Sequence, residues 1–219
     1  MCYIIENNGV YGLTKGQFSA SADVGSKAKK GEINQQPPID AVQLAMALGG
    51  TFVARSFSGD KEQLVPLIKA AVKHEGFALV DVLSPCVTFN DREDSTKSYA
   101  YTRQFFHRAV HLDYVPPAEE IKAAYDQGDS MSIQLHDGSR IVLRKVSEAY
   151  NVQNRGAAID YIRAHQRKGE VVTGLLYIDE GEPDMHGLNR TTATPLTNVD
   201  YGRLCPGAGA LDKLQQRYR

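Results

Sequence analysis

The residues best suited to binding or catalysis stand near the start of the chain, in the segment from Cys2 to Gln17. A short apolar run typical of a strand ends there at Asn7, Asn8 and Gly9 and passes into a Gly-rich polar loop. Asn8 offers an amide oxygen, and Gly9 lets the backbone turn so that the Val10 carbonyl can point the same way. Hard oxygen donors suit Mg²⁺, which completes its coordination with phosphate oxygens and water. An Asn-Gly pair after a strand is also typical of a simple turn, and the local pattern leaves both interpretations open.

A second candidate is Cys86, in the sequence Ser84-Pro85-Cys86 that directly follows the apolar run 77–83. Pro85 removes a backbone donor and restricts the approach to the thiol. A lone cysteine after a strand is most often a small buried residue, and a thiolate ligand of iron is the alternative. The chain has three cysteines and no Cys-x-x-Cys pair. It therefore cannot by itself supply a disulfide framework or the usual four ligands of an iron–sulfur cluster.

Two further groups give weaker signals. Lysines in and beside the polar stretch 18–38 could attract an anion, although a solvated loop is the favoured interpretation: Lys15, Lys27, Lys29 and Lys30. His107 and His111 would share one face of a helix and could bind a metal, but no carboxylate accompanies them in a zinc pattern. Core or surface histidines are the favoured interpretation. The aromatic residues beside them are expected to cover the sheet or to meet a partner subunit: Tyr99, Tyr101, Phe105 and Phe106.

The order of the elements predicts a doubly wound parallel sheet that positions these groups. After the opening strand, the pattern indicates a helix from Asp40 to about Leu48, a strand over 51–54, a helix over 60–73 and a buried strand over 77–83. Sites in such sheets gather at the carboxyl ends of the strands. The Asn-Gly loop and Cys86 both follow strands, so both are expected on that side.

The later part of the chain predicts mixed α and β structure. The patterns indicate, in order, a helix over 118–127, a hairpin whose strands flank the Asp-Gly turn at 136–139, a helix over 155–168, a strand over 171–178, a mostly extended stretch over 183–207 and a terminal helix over 211–218. We therefore expect two parts, residues 1–88 and an α+β extension over 89–219.

Composition excludes several classes of partner. The chain has 219 residues and a formal net charge of −1, which favours neither nucleic acid nor an anionic membrane surface. No apolar run is long enough to span a bilayer, and no secretory leader is visible. The expectation is a soluble cytoplasmic protein.

The opening segment resembles the second half of the thiamine-diphosphate motif in the β subunit of 2-oxoacid:ferredoxin oxidoreductases, with the pattern Asn-Asn-x-x-Tyr-Gly-x-Thr-x-Gly-Gln. Ser84-Pro85-Cys86 falls where that family carries a Ser-Pro-Cys segment, and the similarity in character continues to the carboxyl terminus. The resemblance implies an incomplete doubly wound sheet of the thiamine-diphosphate-binding fold with an α+β carboxyl-terminal extension. It also implies that the family's amino-terminal part is absent, with the aspartate of its Gly-Asp-Gly sequence and three further cluster cysteines.

The resemblance implies roles for individual residues. Asn8 and the Val10 carbonyl correspond to ligands of Mg²⁺, and Cys86 corresponds to one ligand of a four-iron four-sulfur cluster. Leu13 and Thr14 correspond to catalytic positions beside the reactive thiazolium ring. The residues implied to contact thiamine diphosphate are Asn8, Val10, Tyr11, Gly12, Leu13 and Lys15.

The implied function is oxidative decarboxylation of a 2-oxo acid to an acyl-coenzyme A, with electrons passed through the cluster to ferredoxin. The implied partners are an α subunit, ferredoxin, the 2-oxo acid and coenzyme A, whose phosphates the lysines could attract. The Leu13 version of the motif favours 2-oxoglutarate, and the isolated chain is expected to be inactive. Two alternatives remain: another thiamine-dependent decarboxylase, against which Cys86 argues, and a non-catalytic binding module that has kept the fold.

Overall fold

The computed structural model describes residues 1–28, 30–92, 95–115, 130–134, 140–145, 150–205 and 207–218. The chain forms two compact units, Met1–Glu182 and Pro183–Arg219. The helix predicted over 118–127 and the turn predicted over 136–139 lie outside the described residues.

The first unit contains all the described strands. They are β1 (Cys2–Asn7), β2 (Val10–Tyr11), β3 (Gln17–Phe18), β4 (Phe52–Phe57), β5 (Ala78–Leu83), β6 (Phe106–Val115), β7 (Ser130–Gln134), β8 (Arg140–Lys145) and β9 (Val171–Ile178). Its described helices are α1 (Ala41–Ala47), α2 (Lys61–Lys73), α3 (Tyr99–Phe105) and α4 (Arg155–Gln166). Apart from the small β2–β3 hairpin, these strands form one sheet in the order β1-β5-β4-β9-β6-β8-β7.

A parallel group, β1, β5 and β4, lies at one end of this sheet, with Asn7, Leu83 and Phe57 in register at its carboxyl ends. The next strand, β9, runs antiparallel to β4 and parallel to β6. The β7 and β8 strands continue the sheet in antiparallel pairs, and they are the two strands of the predicted hairpin. The predicted α/β class is confirmed. The division at residue 88 stays a prediction, although the later strands extend the same sheet.

Local signals explain why the helices start where they do. Asp40 precedes α1 and its carboxylate accepts hydrogen bonds from the Val42 and Gln43 backbone N–H groups, at 3.0 and 3.1 Å. Asp60 and Asn154 cap α2 and α4 in the same way. Every residue of β4 and β5 is buried, and the helices cover them with apolar side chains such as Met46 and Leu67.

The structure corrects two sequence-based expectations in this unit. The strand predicted over 51–54 runs to Phe57, because Arg55 and Ser56 are buried with polar partners instead of ending the strand. His107 and His111 lie on β6 and not on a helix. Four residues along a strand span about 13 Å, so the alternative interpretation of the two as a metal pair at helical spacing does not hold.

The second unit was predicted to be mostly extended up to residue 207, and it contains short helices instead. These are α5 (Met185–Leu188), a 3₁₀ turn (Leu196–Asn198) and α6 (Tyr201–Leu204), followed by the terminal helix α7 (Ala208–Gln216). Asp184 and Asp200 cap α5 and α6, and these caps are the local reason why the short segments are helical. Among the described residues, no helix has the length and apolar character needed to cross a membrane.

Candidate functional site at the carboxyl ends of the parallel strands

The site begins at Asn7, the last residue of β1. Its side-chain amide donates a hydrogen bond of 3.0 Å to Asp81 Oδ1 on β5, and its Oδ1 accepts one of 2.7 Å from the Ser21 hydroxyl. The backbone carbonyl of Asn7 accepts a third bond from Ser84 N. These contacts tie the end of β1 both to the neighbouring strand and to the loop that follows, and this fixes the starting direction of the Asn-Gly turn.

A buried ion network lies beneath Asn7. Arg55 on β4 donates to Asp81 at 2.9 Å and to Asp40, the cap of α1, at 2.8 Å. Burial alone would raise the pKa of Asp40, but the Arg55 charge and hydrogen bonds from Gln43 hold it below its usual value. Burial alone would also lower the pKa of Arg55, yet the two carboxylates raise it above its usual value. Asp40 and Arg55 are therefore both charged at neutral pH.

The Asn8 side chain stabilises the turn after β1. Its Oδ1 accepts a hydrogen bond of 3.0 Å from Val10 N, and its backbone carbonyl accepts one of 2.8 Å from the Asn90 amide. An amide oxygen has two lone pairs, so one hydrogen bond from Val10 leaves Asn8 Oδ1 with capacity for a cation.

The β2–β3 hairpin sets the direction of the Val10 carbonyl. The carbonyls of Gly9 and Tyr11 accept hydrogen bonds from Ser19 N and Gly16 N, so both point toward the other arm of the hairpin. Peptide groups alternate along a strand, and the Val10 carbonyl therefore faces the other way. The Val10 N–H, which Asn8 Oδ1 binds, shares that direction. The arrangement fits a cation held by Asn8 Oδ1 and the Val10 carbonyl.

Close packing explains why glycine occupies position 9. Its φ angle of 71° lies in the left-handed region, and a Cβ there would stand 2.7 Å from Asn90 Nδ2. The Lys97 side chain would be 3.1 Å away. The turn is thus pressed against the segment that follows Cys86, and the contact leaves no room for a side chain.

The second half of the motif points to the outside. Leu13 is 99% exposed and Tyr11 is 59% exposed. Thr14 is also exposed, and its hydroxyl donates to Gln17 Oε1 at 2.5 Å. Lys15 adopts a positive φ of 76°. Two large apolar side chains beside a polar turn are what a loop presents when it meets a cofactor or another protein surface.

Cys86 lies on the same side of the sheet as this loop. It is half-buried, and a Cβ built on Gly12 would stand 3.8 Å from its Sγ. Cys2 is at the other end of β1, about 17 Å away along the strand direction. In the part of the first unit that the structure describes, this edge therefore offers one thiol, which fits one ligand of a cluster and not a full set.

The polar stretch after the hairpin is held by its own side chains. Asn34 is buried and donates to the carbonyls of Ala22, Asp23 and Gln36. The Asp23 carboxylate accepts hydrogen bonds from Thr96 and from Lys97 Nζ, at 2.7 and 2.9 Å from their side chains. Of the four lysines singled out in the sequence, Lys29 lies outside the described residues.

A cleft of about 720 Å³ opens between this stretch, the strand ends and α4, and its polar lining includes Asn7, Asp23, Asp40, Arg55, Lys97 and Gln166. Sequence reasoning missed Arg55 and Asp81. The available signal was a charged residue directly after one predicted strand, 51–54, and another inside the second, 77–83.

Comparison with known proteins gives one family match, over the first part of the chain, and several relatives. Residues 1–82 match the family described as thiamine pyrophosphate enzyme, C-terminal TPP binding domain. A 2-oxoacid:ferredoxin oxidoreductase subunit β from Saccharolobus solfataricus is 41% identical over 134 residues, 59% of this chain and 41% of the relative. The corresponding subunit from Sulfolobus sp is 36% identical over 188 residues, 79% of this chain and 60% of the relative. The chain thus spans about half the length of these relatives.

A solved structure has the same fold. It is a chain of the 2-oxoglutarate:ferredoxin oxidoreductase from Magnetococcus marinus with 2-oxoglutarate, coenzyme A and succinyl-CoA bound, with a TM-score of 0.61 and 23% identity. The match covers 93% of this chain and 56% of that chain. The opening motif, the matched domain and the sequence relatives agree, and the chain is accordingly a relative of the β subunits of 2-oxoacid:ferredoxin oxidoreductases.

Proposed function

We propose that this chain acts in a 2-oxoacid:ferredoxin oxidoreductase as the part of the β subunit that holds one edge of a Mg²⁺–thiamine diphosphate site. The proposal is supported by the turn after β1, where Asn8 Oδ1 accepts from Val10 N at the carboxyl ends of parallel strands and the alternation of peptide groups directs the Val10 carbonyl to the same side. Both are hard oxygen donors, and a Mg²⁺ ion held by them would retain positions for diphosphate oxygens and water.

The chain's contribution is to bind and to orient. Thiamine diphosphate supplies the carbanion-stabilising chemistry of decarboxylation when it is bound. The network from Asp40 through Arg55 and Asp81 to Asn7 fixes the strand end, and the Asn90 amide fixes the Asn8 backbone. The run from Tyr11 to Lys15 would line the cofactor, with Leu13 and Thr14 beside the reacting ring.

The favoured substrate is 2-oxoglutarate. The Leu-Thr-Lys-Gly-Gln version of the motif supports it, and so does the 2-oxoglutarate named for the structural neighbour. Leu13 is almost fully exposed in the single chain. In the proposed assembly, a partner α subunit would cover it and complete the substrate pocket.

Electrons would leave through an iron–sulfur cluster to ferredoxin, with Cys86 as one ligand and the remaining thiolates supplied from outside the described residues. Coenzyme A would accept the acyl group, and Lys15, which is exposed at the end of the motif, would attract one of its phosphates. The proposed location of the assembly is the cytoplasm.

Binding to the isolated chain tests how much of the site it contains. Calorimetry with Mg²⁺ and thiamine diphosphate on the purified chain should show no tight binding, because Asn8 and Val10 supply only two ligands. Submicromolar binding would show that no other segment is needed.

Activity tests the assignment itself. The chain, combined with an α subunit and with the remaining β-subunit sequence of a relative, should reduce a viologen dye with 2-oxoglutarate and coenzyme A, and more slowly with pyruvate. Asn8→Ala should raise the Mg²⁺ concentration needed for half-maximal activity, whereas Asn198→Ala in the second unit should not. An assembly that binds the cofactor but turns over no 2-oxo acid would instead favour a non-catalytic module.

A further inference from the structure

Three potential metal ligands lie close together at the amino-terminal ends of β6 and β9, outside the motif described above. His107 is the second residue of β6, His165 lies near the end of α4, and Glu170 directly precedes β9. The start of β6 pairs with the start of β9, Phe106 with Val171, and this pairing brings the three side chains together. Each of the three is half-buried.

The contacts within this cluster are close. The imidazole rings of His107 and His165 stack with centroids 4.1 Å apart and an angle of 20° between their planes. His165 Nδ1 is hydrogen-bonded to Glu170 Oε2. His107 Nε2 is hydrogen-bonded to the Tyr161 hydroxyl at 2.6 Å, which holds its ring in place. Three side chains from separate elements thus lie close together, two of them held by hydrogen bonds of their ring nitrogens.

The spacing of the donor atoms is near that of a metal site. One ligand atom from each of the three residues lies within 4.8 Å of the other two. Ligands of tetrahedral Zn²⁺, with bonds of about 2.0 to 2.1 Å, stand about 3.3 Å apart. Binding one ion would require rotation of the Glu170 side chain and opening of the ring stack, so that a nitrogen of each imidazole faces the same point. Two imidazoles and one carboxylate are also a known zinc ligand set with an open fourth position.

We propose that His107, His165 and Glu170 form a binding site for a divalent transition-metal ion of the Zn²⁺ class, with water at the fourth position. The ion would take the place of the hydrogen bond between His165 Nδ1 and Glu170 Oε2. The positive charge of Lys168 lies nearby and would repel the ion, but Lys168 is exposed, so solvent screens its charge. Three strand positions, or about 14 Å, separate β9 from β1, so the site is distinct from the proposed Mg²⁺ position.

Zinc titration of the chelator-treated full chain tests the proposal. Calorimetry should show one ion bound per chain, and zinc should raise the unfolding temperature. Glu170→Gln keeps the size of the side chain and lies outside the helices and strands, so it should fold. It should lose zinc affinity by about a hundredfold or more, since loss of even an outer-sphere partner costs ten- to a hundredfold. His165→Ala should do the same, and His186→Ala, in the exposed helix α5, should leave binding unchanged.

Cobalt substitution separates this site from adventitious binding at cysteine. The Co²⁺ protein should show the visible bands of tetrahedral nitrogen and oxygen coordination without a thiolate charge-transfer band. Absence of binding, a thiolate band, or binding that both Glu170→Gln and His165→Ala leave unchanged would each overturn the proposal.

Discussion

Asn7 donates a hydrogen bond of 3.0 Å to Asp81, and this pair couples the last residue of β1 to a carboxylate in the interior of β5. Asp81 is fully buried and also accepts from Arg55. The residue that introduces the proposed cofactor turn is therefore held by an ion network spanning three parallel strands. A change in that network is expected to reach Asn8 through Asn7, although neither Arg55 nor Asp81 would touch a cofactor held there.

Arg55→Met should destabilise the fold strongly. It leaves Asp81 and Asp40 without their cation, and loss of one partner of a buried ion pair costs about 3 to 5 kcal/mol. The measurement is the free energy of unfolding in urea, followed by circular dichroism.

Arg108→Met is the matched control, because it removes an arginine–aspartate pair whose arginine side chain is 48% exposed. Solvent screening limits that cost to about 1 kcal/mol or less. Equal losses in the two variants would mean that the Arg55 network contributes no more than a surface pair.

The contribution of Asp40 to stability should disappear in acid. Its pKa is lowered in the folded protein, so its carboxylate stabilises the fold fully above the unfolded pKa, which is about 3.9, and loses this effect as the pH falls through the folded value. The difference in unfolding free energy between the wild type and Asp40→Asn should be constant near pH 7 and should shrink below about pH 4. Urea titrations at pH 7, 5 and 3.5 measure it. A difference that grows in acid would contradict the assignment.

Gly9→Ala should cost more than Gly25→Ala. Both glycines have positive φ angles, 71° and 88°, so both variants carry the backbone strain of about 1 to 2 kcal/mol. Only at Gly9 does the new methyl meet an atom at 2.7 Å, whereas no atom lies within 4 Å of it at Gly25. Urea unfolding of both variants isolates the contact, and similar losses would show that Asn90 moves aside without cost.

The local parts of this fold could be predicted from sequence because each depends on neighbouring residues. Asp40 caps α1 through backbone groups two and three residues ahead, and the apolar run of β1 ends at its Asn-Gly turn. The disfavoured interpretation of His107 and His111 as a helical pair fails for the opposite reason. The spacing of the two residues suits a helix, but pairing with β9, more than sixty residues later in the sequence, makes the segment a strand.

Long-range strand pairing also determines which contacts of the candidate site could not be predicted from the sequence. The motif predicted that Asn8 and Val10 would stand at the end of β1, where the structure has them, while their role as cofactor ligands stays a prediction. Arg55 and Asp81 could not be paired, because their contact depends on the register of β4 against β5. The cluster of His107, His165 and Glu170 likewise exists only through the pairing of β6 with β9.

Lys15→Ala should weaken the use of coenzyme A by the assembled oxidoreductase. Lys15 is exposed at the end of the motif, and loss of one exposed charge–phosphate contact is worth about 0.2 to 1 kcal/mol, or roughly a one-and-a-half- to fivefold rise in the KM for coenzyme A. The KM for the 2-oxo acid should not change. Because Lys15 has a positive φ of 76°, Lys15→Gly is needed beside Lys15→Ala, since glycine removes the charge and relieves the backbone strain.

Steady-state kinetics on both variants separates charge from backbone strain, with Lys69→Ala on the exposed side of α2 as the control. If the charge acts, Lys15→Ala and Lys15→Gly raise the KM equally, and the effect diminishes at high salt. If Lys15→Gly restores the wild-type value, the position acts through the shape of the loop. Unchanged kinetics in both variants would remove Lys15 from the proposed coenzyme A site.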